Sequence, residues 1–193
     1  MIDQLKVILQ DIFKIKDLGH LRYFLGIEVA RPSEGIVLNR RKYALELVLE
    51  AGLSAGKPAG TPLELNLKLT SYEFDKKFPL GEKDELLTYP SMFGRTVERL
   101  LYLTMSRPDI SFAVQTLSQY MQSPKQSHLE AALRVIRYVK KEPTLGLLMS
   151  TKSIKELVAF CDSDWASCAV SRKLAPGYCI KMGDSLLSWK SKK

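Results

Sequence analysis

Part-way along this chain the spacing of apolar residues changes period, and that change constrains the fold more than any other feature. Between Ser91 and Lys141 apolar residues recur every three or four positions, the spacing of helices with one buried face. After Gly146 they come in short β-prone runs, Gly146–Met149, Leu157–Cys161, Tyr178–Met182 and Leu186–Trp189, divided by turn-forming residues. Helices followed by strands, rather than alternating with them, mean an α+β fold with a boundary near 150–156.

Three helices are predicted in the centre. Phe93, Val97, Leu100, Leu101 and Thr104 mark one from about Ser91 to Met105. Ser106 with Asp109 reads as a capping pair that opens a second, running to about Gln122, and Ser127 with Glu130 as one that opens a third, ending at about Lys141 before Pro143. On the third, Leu129, Ala132, Leu133, Ile136 and Val139 form the buried stripe, while Arg134, Arg137 and Lys141 line another face. Upstream, Ile2, Leu5, Ile8, Leu9, Ile12 and Phe13 predict an amphipathic helix over 2–13. Leu21–Ala30 and Ile36–Leu38 around Pro32-Ser33-Glu34-Gly35 read as a hairpin, followed by a helix from Arg41 to Ala51 that Gly52 ends. Residues 54–90, with glycines, prolines, threonines and an acidic surplus, read as a linker or loosely packed, mobile arm.

Composition removes several function classes. With 46% hydrophobic residues in 193, the chain has enough apolar material to offset its conformational entropy, which excludes global disorder. No apolar run approaches the roughly 20 residues of a membrane-spanning helix, so no membrane partner is expected. Met1-Ile2-Asp3-Gln4 does not open like a secretory leader. Cys161, Cys168 and Cys179 fit neither a disulfide framework nor, with only His20 and His128 elsewhere, a zinc pattern. Free thiols in a reducing, intracellular compartment are the expectation.

Charge points to a partner. The net charge is +8, and residues 91–160 carry 10 basic against 5 acidic side chains. A basic half suits a polyanion such as nucleic acid, with Arg134, Arg137, Lys140 and Lys141 placed to neutralise phosphates; a merely solvated basic face is the alternative. Catalytic flavour is confined to Phe160-Cys161-Asp162-Ser163-Asp164-Trp165. Asp162 and Asp164, two apart on a strand, share a side of it and could take a hard cation such as magnesium weakly. A two-metal nuclease needs further carboxylates, and after Cys161 the sequence adds only Asp184.

These residues carry a resemblance. Phe13 to Gly19 (FKIKDLG), Tyr23 to Glu28 (YFLGIE), Leu38 to Tyr43 (LNRRKY), Lys57-Pro58 with Thr61-Pro62, and Leu101 to Thr104 with Arg107 to Ser111 resemble copia-type LTR retrotransposon Pol polyproteins. Ala113-Val114, Leu117-Ser118, Arg134 to Tyr138, Ala159 to Ala166 and Trp189 to Lys193 continue the resemblance in order. It covers the C-terminal part of the reverse transcriptase and the start of the ribonuclease H domain. It implies that residues 1–53 end the palm with a primer-grip-like hairpin, in which Tyr23, Phe24, Leu25 and Gly26 touch nucleic acid. It makes 54–90 an arm, 91–150 a helical thumb- or connection-like region, and 156–193 a small antiparallel meander, a truncated ribonuclease H-like domain.

The resemblance also implies an RNA–DNA template–primer duplex as partner and magnesium as cofactor of the intact family, with Asp162 as the first ribonuclease H-like carboxylate. The family's polymerase turn carries an Asp-Asp pair, and this sequence has none; the later ribonuclease H carboxylates are not matched either. The expectation is therefore a polyprotein fragment without catalysis of its own and without tightly held magnesium, or alternatively a retained, sequence-independent nucleic-acid-binding module. Glu98, where the family has glycine, and Leu174 and Pro176, where it has small hydroxyl residues, depart from the pattern.

Overall fold

Apolar periodicity translates directly into the central layer. The structure, a computed structural model, describes residues 2–16, 18–65, 67–78, 84–152, 156–164 and 175–191, without the side chains of 163, 164, 175 and 176. Helix α1 spans Ile2–Phe13. Strands β1 (Tyr23–Phe24), β2 (Ile27–Ala30) and β3 (Gly35–Asn39) precede α2 (Arg41–Glu50). Then come α3 (Tyr72–Lys77), α4 (Pro90–Leu103), a 3-10 turn over Pro108–Ile110, α5 (Ser111–Ser118) and α6 (Gln126–Lys141). Strands β4 (Leu147–Ser150), β5 (Leu157–Asp164), β6 (Ala175–Met182) and β7 (Ser185–Ser191) follow.

The core lies where α2, α4, α5 and α6 meet. Phe93, Val97, Leu100 and Leu103 give α4 one fully buried stripe. It packs on Val114 and Leu117 of α5 and on Ala132, Val135, Ile136 and Val139 of α6. Burying a side chain of this size stabilises the fold by roughly 1.5–3 kcal/mol, so these helices hold the molecule together. Lys140 and Lys141 in the last turn of α6 face the negative end of its dipole.

Two antiparallel sheets flank this layer, in the orders β1-β2-β3-β4 and β5-β6-β7. The mixed helix-and-sheet, antiparallel architecture agrees with α+β. One strand is placed differently from its sequence grouping. The change of period puts Gly146–Met149 with the C-terminal runs, but β4 returns to pair with β3, Gly35 opposite Ser150 and Leu38 opposite Leu147. Close backbone approach explains the glycines: a Cβ on Gly35 would lie 2.1 Å from the Met149 carbonyl oxygen, and one on Gly146 2.2 Å from that of Leu38.

Helix starts are corrected too. Ser106 does not cap; its hydroxyl donates back to the Leu103 carbonyl at 3.3 Å, and Asp109 is engaged by Arg107. The second helix ends at Ser118, short of Gln122. α6 begins one residue before Ser127, with His128 Nδ1 accepting from the Lys125 backbone N–H (3.0 Å) and Asp84 Oδ1 from that of Ser127 (3.2 Å). Glu130 instead accepts from Gln126. A carboxylate from the preceding segment thus replaces the local cap.

The described residues of that segment, 54–65, 67–78 and 84–89, keep an irregular backbone around α3 but are docked rather than loose: Leu69 is buried, and its carbonyl accepts from Tyr120 Oη at 2.9 Å. The β5–β7 sheet leans on the helices through β7 and α5 and on β4 through a 2.8 Å bond from the Ser150 N–H to Ser185 Oγ. Leu157, Phe160 and Met182 stay exposed. Pro176 is the second residue of β6, opposite Ser163 of β5, and lies one residue before the pairing with β7 begins at Gly177–Ser191. Glu98 lies on the exposed side of α4, where a charged side chain is ordinary, and Leu174 lies outside the described residues.

Candidate nucleic-acid interface

The tip of the N-terminal hairpin exposes apolar side chains on a defined turn. Leu21–Ala30 is not one strand of a single hairpin turning at Pro32–Gly35: it folds back on itself, Tyr23 pairing with Glu28 and Phe24 with Ile27, so that Leu25-Gly26 forms a second, two-residue turn ahead of the β2–β3 hairpin. Both turn residues have positive φ, +47° and +79°, as the tightest hairpins require. Leucine is strained there, so the turn is held from outside. Tyr102 Oη of α4 donates to the Leu25 carbonyl at 3.2 Å, and the Glu28 carboxylate accepts from the Lys42 N–H at the start of α2 at 2.9 Å. Tyr23, Phe24 and Leu25 are 55%, 58% and 71% exposed. All four residues expected to touch nucleic acid thus sit together on a supported tip. Behind them, the Arg40 guanidinium stacks on Tyr102 at 3.9 Å, and Tyr43 meets the same ring edge-on at 5.0 Å.

The basic residues of α6 do not form an open row. Arg134 is paired with Glu64 at 2.9 Å and donates to Thr61 Oγ1 at 3.2 Å. Lys140 Nζ donates to the carbonyls of Leu53, Ser54 and Gly56, at 3.1, 2.5 and 2.7 Å. Arg137 is half-buried and its carbonyl accepts from the Ala59 N–H, while Lys141 is exposed. The side chains of Arg134 and Lys140, and the backbone carbonyl of Arg137, therefore tie the 53–64 stretch to α6.

A second tie escaped the sequence. Lys125, 2% exposed, bonds Asp75, Asp84 (2.9 Å) and Thr70 Oγ1 (3.2 Å). Burial alone would raise both carboxylate pKa values; hydrogen bonds from Lys125 and Thr70 to Asp75, and from Ser127 and Lys125 to Asp84, outweigh it and hold both below the usual range. Burial would lower the Lys125 pKa, and the two aspartates raise it instead. His128 stacks on Tyr120 at 4.0 Å and donates from Nε2 to the Thr70 carbonyl at 3.1 Å. Burial, with the Lys125 charge beside it, pushes its pKa down to about 4, so it is a neutral hydrogen-bonding side chain. No local signal pointed here, because the partners of Lys125 lie 41 to 55 residues away.

The carboxylates of the C-terminal sheet are less concentrated. Asp162 stands opposite Gly177 and Asp164 opposite Ala175. Asp162 borders a cleft of about 660 Å³ between the sheet and the start of α5, with Lys181, Trp189 and Phe112 among its walls. The Asp164 side chain, like Trp165 and Cys168, lies outside the described residues. Among the described residues no three carboxylate, histidine or cysteine side chains form a group able to hold a metal. Cys161 and Cys179 carry free thiols. No described helix is long and apolar enough to cross a membrane.

Comparison with known proteins bears out the resemblance. No family model matches the chain, and no solved structure does. It is 38% identical over 185 residues to the uncharacterized mitochondrial protein AtMg00810 of Arabidopsis thaliana, covering 96% of this chain and 72% of that protein. It is 36% identical over 181 residues to the retrovirus-related Pol polyprotein from transposon RE1 of the same plant, and 32% identical over 198 residues to that from transposon TNT 1-94 of Nicotiana tabacum. These matches cover 94% and 100% of this chain but only 12% and 14% of the polyproteins. Collinear along nearly its whole length with these relatives, the chain belongs to the retrovirus-related Pol polyprotein family of transposons.

Proposed function

We propose that this chain is the part of a transposon RNA-directed DNA polymerase that grips the template–primer duplex without itself catalysing. In this reading residues 1–53 end the palm with the gripping hairpin, 54–90 form an arm, and 91–150 form a thumb- or connection-like layer. Residues 156–193 supply the first strands of a ribonuclease H-like domain, with Asp162 as one of its carboxylates.

The observation that carries the reading is the hairpin tip, aromatic and exposed yet braced from behind by α2 and α4. Exposed aromatic rings give bases and sugars a sequence-independent stacking surface. Fluorescence anisotropy with a labelled RNA–DNA duplex tests it. Binding should be independent of sequence and weaken steeply with salt. Tyr23→Ala with Phe24→Ala should weaken it about tenfold, the worth of one base stacked on a ring at roughly 1–3 kcal/mol, with the thermal midpoint unchanged. Equal affinity in the double variant would overturn the reading. A primed RNA template with magnesium should not be extended; extension that survives controls for contaminating polymerase would overturn the non-catalytic half.

A further inference from the structure

Arg40 is the one buried cation whose charge the described residues leave unanswered. It is 3% exposed, and its Nε and Nη1 have no hydrogen-bond partner among the described residues. Nη2 reaches the Met105 sulfur at 3.9 Å, a weak acceptor. The face of the guanidinium rests on Tyr102, which favours a cation but accepts none of its N–H groups in the ring plane. The Glu28 carboxylate, on the neighbouring strand, accepts from the Lys42 N–H instead. Buried guanidinium groups are normally matched by hydrogen-bonding anions, so an unmatched one marks a place where an anion arrives.

The lid over this group is thin. A Cβ built on Gly26 would lie 3.7 Å from Arg40 Nη1 and 3.5 Å from Tyr102 Oη, so the turn packs directly against Nη1 at a residue without a side chain. That turn belongs to a two-residue strand at the sheet edge, and one hydrogen bond from Tyr102 holds its tip. Edge elements with so few bonds open first.

We propose that Arg40 is a phosphate-binding residue: when the Leu25-Gly26 turn lifts, its free N–H groups meet a phosphate oxyanion, while the Tyr102 ring keeps the guanidinium in place. The phosphate belongs to a strand laid across the hairpin or to a nucleoside triphosphate. The strand case rests on the hairpin reading above, whereas the triphosphate case does not.

The test uses the full chain, its Arg40→Met and Arg40→Gln variants and Tyr102→Phe, with the labelled RNA–DNA duplex in one arm and ATP in a calorimetric arm. Arg40→Met should weaken the duplex at least tenfold and reduce the slope of log affinity against log salt by about one phosphate, with no fall in thermal midpoint. Arg40→Gln, polar but uncharged, should lower the slope equally and serves if the methionine chain does not fold. Tyr102→Phe keeps the ring and removes the bond on the turn, so it should bind at least as tightly as the parent. Weaker binding by Tyr102→Phe would overturn the lifting turn. An unchanged slope in both Arg40 variants, with a lowered midpoint, would make Arg40 a packing element and overturn the proposal while leaving the hairpin reading intact. Parent binding of ATP without the duplex would overturn the hairpin reading and keep the anion site, and binding of neither would overturn both.

Discussion

Lys125 and Arg40 are both buried cations, 2% and 3% exposed, yet their surroundings are opposite. Lys125 has two carboxylates and a hydroxyl around one ammonium; Arg40 has an aromatic face, a sulfur and two free N–H positions. Burying a charge is costly unless it is paired and hydrogen-bonded. The Lys125 cluster meets that condition within the fold and acts as a fastener between α6 and the 54–90 segment. The Arg40 cluster does not, and stability alone gives no reason to keep it.

The largest effect expected from this contrast is on stability. Lys125→Met should lower the unfolding free energy by about 3 kcal/mol, because it strands two partly buried carboxylates, and urea denaturation at pH 7 measures it. Equal losses from Lys125→Met and Arg40→Met would erase the distinction between fastener and site.

Acid should reproduce much of that loss. His128 has its pKa depressed from 6.5 to about 4, so the unfolded chain takes up its proton first as pH falls. The stabilisation is complete above about 6.5 and disappears on the way down to about 4, amounting to about 2 kcal/mol between pH 7 and 4.5. Asp75 and Asp84, held below their ordinary range, add a further loss below that. Denaturation curves at the two pH values should converge in His128→Gln; an undiminished pH dependence there would place the acid sensitivity elsewhere.

A smaller effect separates the α6 stripe from the hairpin. Since Arg134 is already paired with Glu64, whose side chain is 60% exposed, Arg134→Ala should cost about 0.5 kcal/mol. It should also flatten the salt dependence of duplex binding by less than Arg40→Met does. A slope reduced by a whole phosphate in Arg134→Ala would mean that Glu64 lets go when nucleic acid binds, and would return the stripe to the interface.

The elements themselves were largely legible in the sequence. The stripes Phe93-Val97-Leu100 and Leu129-Ala132-Ile136 mark α4 and α6 because helical burial repeats at a local period that sequence displays. The hairpin residues Tyr23 to Gly26 are marked by the resemblance, and the structure brings all four together. Pairings between distant segments were not legible. The caps of α6 come from Asp84 and His128 instead of Ser127 and Glu130, since a carboxylate 43 residues upstream competes for the same N–H. In sequence Arg40 is one more basic residue in LNRRKY; only the arrival of Tyr102 over it, and the absence of an acceptor among the described residues, sets it apart. Arg134 and Lys140 read as open charges for the corresponding reason, their acceptors lying 70 and more residues away.

The pairing of β3 with β4 also has a consequence for how the chain is made. Strand β3 leaves the ribosome roughly a hundred residues before the strand that completes it, a wait of about 5–20 seconds at ordinary elongation rates. Throughout that time the hairpin carries an open edge, which invites pairing with other nascent chains. Helix α6 must be synthesised, and in most molecules packed, before Gly146 can enter beside Leu38. The four-stranded sheet is therefore completed only after the helical layer has been made, so errors in folding that layer should leave the β3 edge open for longer.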